Sequence, residues 1–189
     1  MKSSRTGGSL SADGCATRLF LSQQDSGSMT PQTFIDIILA GIGACIVFDL
    51  WQRGLQRLTG IPPSNWAMVG RWLIGLVTGH GMIQAGLAQR PAHPRELPAG
   101  WALHYAVAIG YAAVYAAMMQ AGWITAGALD GLLFGVVSVV VPWFFFMPAT
   151  GTGLMARLTP NPRLACGLAL KMHAIFGVAL GTGFAMLAA

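Results

Sequence analysis

Four stretches of the chain carry apolar residues almost without interruption, at about Thr33–Trp51, Gly100–Gly122, Ala126–Met147 and Leu164–Leu187. Roughly 18 or more such residues suffice for a helix to cross a hydrocarbon core of ~30 Å. The pattern therefore predicts four transmembrane helices. Their ends carry matching punctuation. Thr30-Pro31 opens the first, Trp51 and Arg53 mark its interface, and Gly60-Ile61-Pro62-Pro63 breaks the chain. Trp101 and Tyr105 stand at the start of the second. The third holds Pro142 in its last turns, followed by Trp143-Phe144-Phe145-Phe146, which suits the aromatic belt of a membrane interface. Thr159-Pro160-Asn161-Pro162 is a rigid turn before the fourth.

A shorter pattern lies between the first two spans. Trp66, Val69, Trp72, Leu73, Leu76 and Val77 recur at helical spacing. They predict a helix over about Asn65–Thr78, with Ser64 as its cap and Arg71 on a different face. Such a helix covers only ~21 Å, too little to span, so it is expected to lie in the interface as an amphipathic helix. The segment His80–Pro98 reads as a polar loop.

Composition agrees with this picture. Only 9% of the 189 residues are charged, against roughly 25% in a soluble domain. Trp101–Ala128 and Gly131–Ala156 contain no Asp, Glu, Lys or Arg. The fold class is an all-α polytopic membrane bundle, and the bilayer is its first partner. The net charge of +5 does not signal nucleic acid, because the eleven Lys and Arg are scattered between apolar runs rather than clustered on one face. Cys15, Cys45 and Cys166 have no metal-type spacing and form no disulfide framework. The sequence calls for no cofactor.

Residues 1–28 are polar, rich in Ser, Gly, Thr and Gln, and lack the apolar core of a signal peptide. They read as a disordered extension, with residues 29–189 as one membrane domain and Met29 as a candidate start. Basic residues orient the bundle. Arg53, Arg57, Arg71, Arg90 and Arg95 follow the first span, and Arg157 and Arg163 follow the third, with Lys171 just inside the fourth. The loop after the second span and the C-terminal tail have none. The basic loops are expected in the cytoplasm and both termini outside. Lys2, Arg5 and Arg18 argue the other way, a conflict that a start at Met29 removes.

The order of Phe48-Asp49-Leu50-Trp51, Gly60-Ile61-Pro62, Val69-Gly70-Arg71-Trp72 and His104-Tyr105 is distinctive. The aromatic run after Pro142, Leu158-Thr159-Pro160-Asn161-Pro162 and His173 continue it. With these motifs the chain resembles the small bacterial membrane proteins grouped as domain of unknown function family 2938. The resemblance covers about Ile35 to the C-terminus. It implies a bacterial inner-membrane protein and no particular activity.

Ionisable groups inside a bilayer are costly and therefore functional suspects. With the basic loops inside, Asp49, His104 and His173 fall in the cytoplasmic half, and Asp36 and Asp130 near the outer ends. Asp49 follows Gly41 and Cys45 at spacing four. His104 precedes Ala108, Ala112 and Ala116, and His173 precedes Gly177 and Gly181. Span three adds Gly127, Gly131 and Gly135. Small residues every four positions form helix–helix contact stripes in membranes, so all three ionisable groups are expected to face other helices. They make a candidate polar site, with Arg71 either at the headgroups or reaching inward to pair Asp49. Three readings follow. A structural or interaction role leads. A small-solute or proton-coupled transporter, which four spans would serve best as a homo-oligomer, is second. A metal-dependent intramembrane enzyme using Asp49, His104 and His173 as ligands is third.

Overall fold

The computed structural model describes residues 30–189. The polar extension over residues 1–28, expected to be disordered, lies outside the described residues. The described part is helical, with no strand. It comprises α1 (Pro31–Thr59), α2 (Trp66–Val77), α3 (Glu96–Gln120), α4 (Ala128–Ala149) and α5 (Pro162–Leu187). Ile35–Ala189 forms one compact unit, while of the other unit, Met1–Phe34, only the start of α1 is described.

Four of these helices, α1, α3, α4 and α5, are long and apolar enough to cross a membrane. Their outer faces leave large apolar side chains uncovered, among them Leu50, Leu129, Leu133, Val137 and Phe144. Water would penalise such a surface, and lipid would not. The protein is thus a multi-pass membrane helical bundle.

Helix ends follow local chemistry. Thr30 Oγ1 accepts the Thr33 N–H at the start of α1. The helix continues past Trp51 to Thr59 and stops where Gly60 turns to φ 73°. Gln52 Oε1 then accepts both the backbone N–H and the hydroxyl of Ser64, tying the Gly60–Ser64 turn back to α1. Ser64 is therefore committed to Gln52, and it is Asn65 whose side chain caps α2 by accepting from the Met68 N–H. Asn161 caps α5 in the same way through the Leu164 N–H, with Pro162 at the first helical position. Asp130, on the first turn of α4, accepts the N–H and the hydroxyl of Thr125. Pro142 opens a π-turn over Pro142–Phe146 inside α4, where its missing N–H breaks the regular ladder.

Packing rests on small residues. α4 and α5 meet backbone to backbone, with Gly131 and Gly135 set against Gly177 and Gly181. A methyl group at Gly177 would collide with the Gly131 carbonyl oxygen, and one at Gly135 with that of His173. α2 and α3 cross just as closely: Gly70 abuts the Glu96 carbonyl and Gly100 that of Trp66. Gly41 brings α1 onto Ile109 and Ala112 of α3. The resulting core holds Ala40, Ala44, Cys45, Phe48, Ala108, Ala112, Tyr115, Phe176 and Leu180. Tyr115 is fully buried, stacks on Phe184 and donates its hydroxyl proton to the Thr125 carbonyl.

The segment before α3, expected as a polar loop, is folded onto α2. Trp72 Nε1 donates to the Met82 carbonyl, and buried Gln84 donates from Nε2 to the Trp72 carbonyl. Leu87 packs with Trp72 and Ala149 in a second apolar cluster. α3 itself begins at Glu96, a turn earlier than the apolar run suggests.

Candidate functional site

Cys45 and Asp49 are one helical turn apart on the buried face of α1. His104 comes toward them from α3. Its Nε2 lies 3.2 Å from Asp49 Oδ1 and 3.1 Å from Cys45 Sγ. The side chains of Asp49 and His104 are each 11% exposed, so water does little to screen the pair. The Tyr105 hydroxyl donates to the other carboxylate oxygen, Asp49 Oδ2, at 3.3 Å.

Aromatic rings fix the imidazole. Trp66 from α2 stacks on it with centroids 3.8 Å apart. Trp101 and Tyr105 meet it edge-on, and Phe48 lies tilted 5.4 Å away. The short helix thus supplies a wall of the site, and the glycine crossing with α3 is what lets Trp66 approach.

The geometry limits the chemistry. A Cys-His-Asp relay for nucleophilic attack places the thiol and the carboxylate on opposite ring nitrogens. Here both contact Nε2. An ionised carboxylate only accepts, so Nε2 carries the proton in that state and cannot also draw one from the thiol. The cluster can hold or release a proton, or give its donor atoms to a metal ion, but it is not set up as that nucleophile.

The other expected members lie elsewhere. Arg71 pairs with Glu96, not with Asp49. Its Nε is 2.8 Å from Glu96 Oε2 and its Nη2 3.0 Å from Oε1, a bidentate fork. Its Nη1 also donates to the carbonyls of Leu87 and Arg90. The Glu96 hydrogen bond pushes the Arg71 guanidinium further above its already high ordinary value. This network pins the loop onto α2 and the start of α3. His173 Nδ1 donates to the Ala169 carbonyl at 3.0 Å, and its ring meets Tyr111 edge-on. It is not among the donor atoms gathered at Asp49.

His104 and His173 nevertheless share a wall. Both line a cavity of about 470 Å³ whose sides come from α1, α2, α3, the π-turn of α4 and α5. The lining is largely apolar, including Phe48, Trp66, Leu103, Tyr111, Phe146 and Met172. Gln52, Ser64, Asn65, Thr150 and Thr159 add polar points along it.

Two residues join the site that sequence reasoning leaves out of it. Cys45 is visible in the sequence only as a small member of the α1 stripe, although its spacing of four from Asp49 places both on one face. Tyr105 reads there only as a residue at the start of the second span and the neighbour of His104 in a motif. No curated protein and no solved structure matches the chain. The model of one family, described as "Protein of unknown function (DUF2938)", matches residues 38–186, which takes in every residue of the site, and the chain belongs to that family.

Proposed function

We propose that this protein resides in a bacterial inner membrane, binds a small, largely apolar solute in the cavity between its helices and serves its transport. The observation that carries the reading is the cavity itself. A purely structural bundle gains most by close packing between its helices, whereas this one leaves a half-open pocket of about 470 Å³ there, within the ~300–1,000 Å³ of small-molecule sites. The few polar groups on an apolar wall would orient a solute, and His104 and His173 could exchange protons with it. Four spans favour a second copy of the chain to complete a path.

The test is native mass spectrometry of protein extracted from its own membrane. The parent chain should retain a bound mass that is not bulk lipid. Ala169→Phe projects a ring into the cavity from its α5 wall and should lower occupancy at least about tenfold, equivalent to ~1.4 kcal/mol. A parent chain with no bound mass, or equal retention by the variant, would reject the reading.

Orientation is tested separately. The positive-inside bias supports cytoplasmic loops around Arg95 and Arg163. Reporter fusions after those residues should register cytoplasm, and fusions after Gly122 and at the C-terminus periplasm. A cytoplasmic C-terminus would overturn this orientation.

A further inference from the structure

His104 Nε2 faces two other heteroatoms at once, and Cys45 Sγ, an Asp49 oxygen and Nε2 all lie within 4.8 Å of one another. Hydrogen bonding uses that arrangement poorly, because one ring nitrogen offers a single proton or a single lone pair. Among the described residues no Lys or Arg comes within ion-pair distance of Asp49. Arg53, one turn further along α1, lines the same adjoining groove as Asp49 without closing to ion-pair distance.

We propose that Cys45, Asp49 and His104 bind one divalent transition-metal ion, zinc being the best fit. Bond lengths of ~2.0–2.3 Å at a tetrahedral centre put donor atoms roughly 3.3–3.6 Å apart. The 3.1 Å from Nε2 to Sγ and the 3.2 Å from Nε2 to Oδ1 need only a few tenths of an ångström of opening, while Cys45 Sγ and an Asp49 oxygen, within 4.8 Å of each other, would draw together on the ion. Charge balance selects the valence. A thiolate, a carboxylate and a neutral imidazole together carry two negative charges, which a divalent ion cancels, and a neutral cluster is the cheapest to keep away from water. Ligand softness selects the metal, since magnesium and calcium take all-oxygen shells while thiolate with imidazole suits zinc.

Binding releases one proton, from the Cys45 thiol. The imidazole stays neutral by carrying its proton on Nδ1, which frees the Nε2 lone pair for the metal. The Tyr105 hydroxyl hydrogen-bonds Asp49, as outer partners of metal ligands do, and the Trp66 ring stacked on His104 fixes the imidazole plane. Three protein ligands leave the fourth tetrahedral position to water or another small donor. His104 also borders the cavity, so a bound ion would leave proton exchange with a solute to His173, but the ion itself is held by side-chain donors and needs no solute there.

The experiment titrates the purified full chain in detergent, free of any polyhistidine tag, with cobalt(II) chloride. One equivalent should bring up a thiolate-to-cobalt charge-transfer band and the intense visible bands of a four-coordinate ion, and zinc chloride should abolish both. Cys45→Ser should lose the charge-transfer band. Asp49→Asn and His104→Gln should each weaken cobalt binding more than the ~10–100-fold that losing an outer partner costs. Cys166→Ser and His173→Gln should retain the full spectrum. Zinc should also raise the melting temperature of the parent chain and not of the three ligand variants, a readout that a less stable variant still gives. Absence of the band from the parent chain, or its survival in Cys45→Ser, would overturn the proposal.

Discussion

Replacing Gly177 with valine is expected to destabilise the bundle by about 3 kcal/mol. The α4–α5 contact is made by backbone, and a Cβ at Gly177 would run into the Gly131 carbonyl oxygen while standing 2.7 Å from the Gly135 Cα. A flexible side chain in that position could turn away, but a helix backbone cannot. Relief requires α4 and α5 to separate along the stripe. That separation also loosens Gly135 against His173 and Gly181 against Gly127. Overpacking typically costs ~1–3 kcal/mol, and a contact with no yielding partner belongs at the upper end. Gly110 is the control. It lies in the same kind of helix, and a methyl group added there would meet nothing within 4 Å, so Gly110→Ala should be neutral or stabilising by up to ~1 kcal/mol. Reversible unfolding in mixed micelles reads both. Equal stability of Gly177→Val and the parent chain would refute the close α4–α5 packing.

The same contact explains why so much of the architecture is legible in the sequence. A membrane span announces itself by length and apolarity, and a helix–helix seam by small residues at spacing four. Both signals are local. Gly131, Gly135, Gly177 and Gly181 need no knowledge of the rest of the chain to be placed at an interface, and the structure pairs them. The stripe of Gly41, Cys45 and Asp49 likewise turns toward α3, where His104 extends the alanine row.

What escapes such reading is non-local. Glu96 and Arg71 are brought together by a loop that folds through buried Gln84 and Leu87, and nothing periodic marks such a loop. Arg71 needs an acid, yet spacing cannot choose Glu96 over Asp49. The role of Trp66 over His104 depends on the Gly70–Gly100 crossing, which sets two backbones in register with Gly100 against the Trp66 carbonyl. The cavity is harder still to foresee. It is space left where α2 and the π-turn of α4 depart from regular packing, and residues lining empty space look in sequence like residues lining a core.

A double-mutant cycle separates the two histidines. With a chelator present, so that the side chains alone are read, Asp49→Asn combined with His104→Gln should show a coupling of ~1–2 kcal/mol. The pair is in contact at 3.2 Å and little exposed. Charge assistance raises a hydrogen bond to ~1.5–3 kcal/mol, and the measured range between membrane helices, averaging ~0.6 and reaching ~1.7, pulls the expectation down. The single substitutions keep size and a polar head, so little besides the pairing is lost. Asp49→Asn combined with His173→Gln should instead be additive to within about 0.5 kcal/mol. His173 packs edge-on against Tyr111, which follows His104 by two helical turns, a rise of roughly 10 Å. With its Nδ1 engaged by the Ala169 carbonyl, it shares no hydrogen-bond partner with Asp49 among the described residues. Additivity in the first cycle would show that Asp49 and His104 do not act as a unit. Strong coupling in the second would mean that His173 reaches the cluster by a rearrangement, and the polar site would then extend along the cavity wall.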